Sequence, residues 1–177
     1  MNIKKKKKWY NRQSIRLKGY DYSKNAMYFI TINTYKNQYL FGKIIEGEMI
    51  LNDRGKILQE EILKTEIIRK DIKIPDYIIM PNHTHFIIKK NTAKDLAPTN
   101  PEGHKQVSQR LTHALGIDPK SIGFIIGQIK SITNKRIGEG KIWHRNYYEH
   151  IIRNEDDYYR IAKYIENNPM NWKRKLV

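Results

Sequence analysis

Residues Asp76 to Lys90 read DYIIMPNHTHFIIKK, and the way this stretch alternates decides how the chain folds. Two runs rich in β-branched and aromatic residues, DYIIM and HTHFIIKK, flank Pro81 and Asn82, a pair suited to a tight turn, so the reading is two strands joined by a short connection. Side chains at i and i+2 of a strand point to one face, which puts His83 and His85 side by side and turns Thr84 the other way. Two adjacent imidazoles are half of a metal site. Taken alone, so short a pattern more often marks surface histidines at a strand end or a hydrogen-bonded pair.

Working outward, AMYFITINTY (Ala26 to Tyr35) has the composition of a buried strand, and FGKIIEGEMILND holds two short apolar runs about a Glu46-Gly47 turn, a hairpin. With Asn52 or Asp53 as N-cap, RGKILQEEILKTEIIRK follows as an amphipathic helix whose stripe is Ile57, Leu58, Ile62, Leu63 and Ile67. Beyond the histidines, residues 91–118 are polar and rich in proline and form a loop insert. SIGFIIGQIKSITNKRI is then a second amphipathic helix with a basic outer side, KIWHRNYYEHIIR an extended segment, and NEDDYYRIAKYIENNP a third helix closed near Pro169. Its core stripe is Tyr158, Ile161, Ala162 and Ile165. No internal repeat is present. The order predicts an α+β fold with helices packed on a mainly antiparallel sheet. Residues 1–24 read as a basic arm and 25–177 as a single domain.

Lys and Arg number 34 against 18 Asp and Glu, a formal charge of +16, and such an excess favours a polyanionic partner. No segment approaches the roughly 20 apolar residues of a membrane span, and the basic start lacks the apolar core of a secretory signal, so the expected location is cytoplasmic. With no cysteine, any metal would be held by nitrogen and oxygen donors.

YIIMPNHTHFIIKK resembles the HUH motif (His, bulky hydrophobic, His) of the REP-associated tyrosine transposases, a branch of the insertion sequence 200-like transposase family. RQSIRLKGYDYS, YFITINTY, GFIIGQIKSITNKRI and IWHRNYYEHIIRNEDDYYRIAKYIENNP resemble that family's other segments in the same order, covering most of the chain outside the insert. Thr84 departs from the aliphatic residue usual there, but its side chain should face away from the pair. The resemblance implies a ferredoxin-like sandwich, the HUH transposase fold. It also implies a helix near the C-terminus bearing a nucleophilic tyrosine and, four residues on, a polar third metal ligand; Tyr164 and Asn168 have that spacing, which places two side chains on one helix face. Among the 12 tyrosines, Tyr158 belongs to the core stripe, and Tyr147 and Tyr148 sit in a strand-like segment with no Asn or Gln four residues later. Because Asn168 precedes Pro169 and is biased out of helical geometry, Asn167 stays open as a ligand.

What this family resemblance implies for function is a metal-dependent single-stranded DNA endonuclease and strand transferase, a transposase that cuts near palindromic hairpin repeats through a 5′-phosphotyrosine. His83, His85 and Asn168 would hold one divalent ion, Mg²⁺ or Mn²⁺, with the imidazoles biasing affinity towards Mn²⁺. The phenol must lose its proton during attack, and no sequence feature identifies the base. Basic and aromatic residues expected to contact DNA are Lys4, Lys5, Lys6, Lys7, Lys8, Trp9, Arg12 and Arg16 in the arm and Lys130, Lys135 and Arg136 on the second helix. Two alternatives remain, a domesticated relative that binds hairpins without cutting and a metal hydrolase of small phosphoesters. A monomer is favoured, with a homodimer that exchanges the tyrosine helix as the alternative.

Overall fold

Strand β1 (Ala26–Asn33) lies between β6 (His83–Lys90) and β7 (Tyr148–Ile152), and it organises everything else in the computed structural model. The described residues are 26–91 and 121–172, so the basic arm 1–24 and all of the insert except Asn91 lie outside them. Between β1 and β6 the chain forms a hairpin of β2 (Gly42–Ile45) and β3 (Glu48–Leu51), helix α1 (Asp53–Ile68), and the strands β4 (Ile72–Lys73) and β5 (Tyr77–Met80). Helix α2 (Ile122–Ile137) precedes β7, and α3 (Glu155–Glu166) follows it. Every strand pairing is antiparallel; β4 and β5 share the far side of β6.

Counting only β1, β5, β6 and β7, the sheet order is the 4-1-3-2 of a ferredoxin-like βαββαβ unit, as the family resemblance implies. Both crossover helices pack on one face, where alternation along β1 and β6 buries Tyr28, Ile30, Ile32, Phe86 and Ile88 against Leu58, Ile62, Ile125 and Ile129. The opposite face is left for α3, which covers Phe29, Ile87 and Ile152 with Ile161 and Ile165. That second face carries the histidines.

The local rules explain the turns. Glu46 and Gly47 both have positive φ, the geometry of a two-residue hairpin whose twist matches its strands. Asn52, rather than Asp53, caps α1 by accepting from the Gly55 amide at 3.0 Å. The buried stripe of α1 differs from the predicted one: Gly55, Leu58, Glu61, Ile62 and Thr65 face inward, whereas Leu63 and Ile67 are exposed. Two observations account for this rotation. A side chain at Gly55 would strike the Phe41 carbonyl oxygen, so only glycine lets the helix start against that loop. Glu61 is buried because Arg136 of α2 reaches it at 2.6 Å, a partner far away in sequence. Among the described residues, no helix is long and apolar enough to cross a membrane.

Candidate active site

Cross-strand register builds the floor of the site. Thr31 lies opposite His85 and Asn33 opposite His83, so the β1 residues that skip the main core stand beside the imidazoles. The Thr31 hydroxyl meets His85 Nδ1 at 2.8 Å, and Asn82 Oδ1 meets His83 Nδ1 at 2.6 Å. An amide oxygen can only accept, so His83 carries its proton on Nδ1 and leaves the lone pair of Nε2 free. The two rings sit 4.6 Å apart, centroid to centroid, and His85 also stacks on Phe29 at 5.3 Å.

The turn that introduces the pair is fastened from outside. Pro81 O accepts from the Leu40 and Phe41 amides, and Asn82 O accepts from both the amide and the hydroxyl of buried Thr34. These bonds fix the turn, and through Asn82 they fix the His83 ring. Burial also sets the charge: it pushes His83 down to about 4, and burial together with the neighbouring imidazole pushes His85 down to about 3. Both rings are therefore neutral near pH 7, the form in which an imidazole nitrogen can ligate a metal.

Helix α3 brings the phenol. Asn154 caps it by accepting from the Asp157 amide, three acidic residues fill its first turn where the helix dipole favours negative charge, and the Tyr158 hydroxyl donates to Asp76 at 2.8 Å. Ile161 and Ile165 anchor the inner face. Tyr164, one residue before Ile165 and so about 100° round the helix, turns towards the histidines. Its hydroxyl is 3.4 Å from His85 Nε2, its ring centroid 5.2 Å from that of His85, and 51% of the residue is exposed. At 3.4 Å the phenol rests against the nitrogen rather than forming a short bond, and it stays reachable from solvent.

Helix α3 ends at Glu166, earlier than the predicted closure near Pro169, and Asn168 follows in a tightened turn with its amide donating to Ile165 O at 3.3 Å. Tyr164 and Asn168 thus do not share one regular helix face; Asn168 lies on the segment between Tyr164, against His85, and Trp172, whose ring is 5.9 Å from that of His83. The neighbouring Asn167 turns its side-chain amide back to donate to Lys163 O at 2.7 Å. Asn168 makes no side-chain hydrogen bond to another described residue.

The basic candidates have different fates. Lys4, Lys5, Lys6, Lys7, Lys8, Trp9, Arg12 and Arg16 lie outside the described residues. Lys130 donates to the carbonyls of His144 and Arg145 at 2.7 and 3.0 Å, and burial lowers its pKa. Arg136 is paired with Glu60 and Glu61, and Lys135 is exposed. All three belong to α2, which packs on the sheet face away from the histidines. Thr31, Asn82 and Trp172 are site neighbours that the sequence reading does not single out, and only the position of Asn82 directly before the pair hinted at one of them.

No protein-family model matches the chain. It is 36% identical over 177 residues to an uncharacterized protein of Haemophilus influenzae, with 93% of this chain and 92% of the relative covered. It is also similar to the solved structure of a REP-associated tyrosine transposase bound to a REP hairpin, with a TM-score of 0.54 and 23% identity over 88% of this chain and 73% of that one. The shared architecture is the HUH transposase fold.

Proposed function

Because this chain belongs to one family with the Haemophilus influenzae protein and has the fold of the REP-associated tyrosine transposase, we propose that it is a single-stranded DNA endonuclease and strand transferase. It would act beside palindromic hairpins, with Tyr164 as nucleophile. One observation carries this reading: a half-exposed phenol rests 3.4 Å from Nε2 of one of two adjacent, neutral histidines, all within a single chain. The contact within one chain favours a monomer that completes its own site.

In the proposed step the Tyr164 oxygen attacks the scissile phosphorus and the bond to the 3′ oxygen breaks. The phenol loses a proton, the upstream fragment leaves with a 3′ hydroxyl, and the downstream fragment stays on the protein as a 5′-phosphotyrosine. Since one phosphodiester replaces another, rejoining needs no external energy source. The fit of a divalent ion, Mg²⁺ or Mn²⁺, rests on the donor set: two neutral imidazoles whose Nδ1 atoms are already engaged, plus the Asn168 amide. His83, His85 and Asn168 would hold it, and when bound it supplies a positive charge that polarises the phosphate. His85 is a poor base for the attack, because burial and the neighbouring imidazole push its pKa down to about 3 and so disfavour its taking a proton. Its role is accordingly that of a ligand. Thr31 and Asn82 orient the two rings.

The formal charge of +16 supplies attraction to the phosphate backbone, and hairpin DNA is the partner by likeness to the solved neighbour. A hairpin with a single-stranded tail labelled at its 3′ end tests the reading. The label should become protein-linked in denaturing gels with Mn²⁺ present; a chain that binds the hairpin and never cuts it is a binding protein instead.

A further inference from the structure

The sheet face that carries His83 and His85 continues past them, on both sides, into aromatic rings that the core does not use. Thr31 pairs with His85 on one side and with Tyr148 of β7 on the other, so Tyr148, Thr31 and His85 form one row on one face. Two strand spacings put the Tyr148 backbone about 10 Å from that of His85. Its neighbour Tyr147 packs on the main core, which leaves Tyr148 pointing outward and 57% exposed. On the His83 side, Trp172 lies tilted by 34° at 5.9 Å, and Tyr39, 51% exposed, meets the Trp172 ring edge-on at 5.7 Å. The loop bearing Tyr39 is tied through the Leu40 amide to Pro81 O at 2.8 Å, the same turn that positions the histidines. Near the end of β1, the cations of Lys36 and Lys141 stand over the Tyr35 ring at 5.5 and 4.3 Å.

We propose that these rings form two base-stacking stations for a single strand of nucleic acid, Tyr148 on one side of the histidine pair and Trp172 with Tyr39 on the other. Each would hold a base flanking the phosphate that faces the pair. The placement of that phosphate rests on the proposed nuclease reading; the stacking does not. Rings of this kind accept any base, because every base offers a π face, so the stations set the path of the strand and leave sequence choice to other contacts.

The test uses the full chain carrying Tyr164→Phe, so that DNA is bound and not consumed, and hairpins whose single-stranded tail bears 2-aminopurine at one position at a time. Fluorescence quenching should peak at two separated positions. Tyr148→Leu should abolish one peak and Trp172→Leu the other, each weakening binding by about 5- to 140-fold. An abasic site at the matching position should cost the same in the parent chain and nothing further in the variant. Because the abasic scan perturbs only the DNA, it decides the matter even where Trp172→Leu fails to fold. A flat quenching profile, or abasic and protein changes that weaken binding independently, overturns the proposal. Wild-type chain that forms the Tyr164 adduct while its Phe variant shows a flat profile refutes the stations alone, whereas two stations with no adduct refute the nuclease reading alone.

Discussion

Replacing Thr31 with valine keeps the shape and strand preference of the side chain and removes the hydroxyl that meets His85 Nδ1 at 2.8 Å. His85 is 5% exposed, so a ring nitrogen that loses its partner there has little water to replace it. Leaving a buried donor or acceptor unsatisfied costs about 1–3 kcal/mol. If the ring keeps its place, that cost appears as lost folding stability. If it tilts to find water, Nε2 moves with it, and loosening such an outer partner typically weakens metal binding about 10- to 100-fold. The two effects draw on the same interaction, so a variant that shows one in full should show little of the other. Urea unfolding of the metal-free chain and calorimetric titration with Mn²⁺ separate them, with Thr31→Ser as the control that restores the hydroxyl. A Thr31→Val chain as stable as the parent and with undiminished Mn²⁺ affinity would refute the claim that this hydroxyl orients the ring.

Ile165→Ala removes a side chain buried between α3 and the sheet, and should cost about 2–5 kcal/mol in chemical unfolding while lowering the rate of DNA cutting, because it loosens the helix that presents Tyr164. Arg136→Ala should lower stability by leaving buried Glu61 with only Lys64, at 3.5 Å, as its ion partner, yet leave hairpin affinity within about twofold of the parent, since the guanidinium is already paired; a large loss of affinity in a salt titration would return Arg136 to the DNA interface. Asn168→Ala should weaken Mn²⁺ binding by about tenfold or more, and Asn167→Ala by much less, because Asn167 is engaged with its own helix; the reverse order in calorimetry would exchange their roles.

The strands and the face shared by His83 and His85 were legible because alternation is a local property of the chain. The α+β class followed from the order of elements and the ferredoxin-like strand order from the family resemblance, while the Glu46-Gly47 turn followed from the two apolar runs that flank it, with Gly47 free to take positive φ. The stripe of α1 was not legible. Apolar residues lie around much of that helix, and Gly55 against the Phe41 carbonyl and Glu61 against Arg136 selected the buried side, two contacts made with other elements. The same limit hid Thr31, Trp172 and Tyr148, whose places depend on register and on the course of the chain after α3. Charge counting cannot distinguish Lys130 and Arg136, bound to carbonyls and carboxylates, from a cation such as exposed Lys135. Pro169 lies just beyond α3, which stops at Glu166, two residues short of Asn168, so the single helix face presumed by the spacing of Tyr164 and Asn168 is lost.

The most direct measurement is mass spectrometry of the protein after incubation with a hairpin-tailed single strand and Mn²⁺. A nucleotide joined by its 5′ phosphate to the peptide containing Tyr164 is expected, absent from Tyr164→Phe and from samples treated with a chelator. DNA cut with a free 5′ phosphate and no modified peptide, or an adduct on a different tyrosine, would contradict the proposed step.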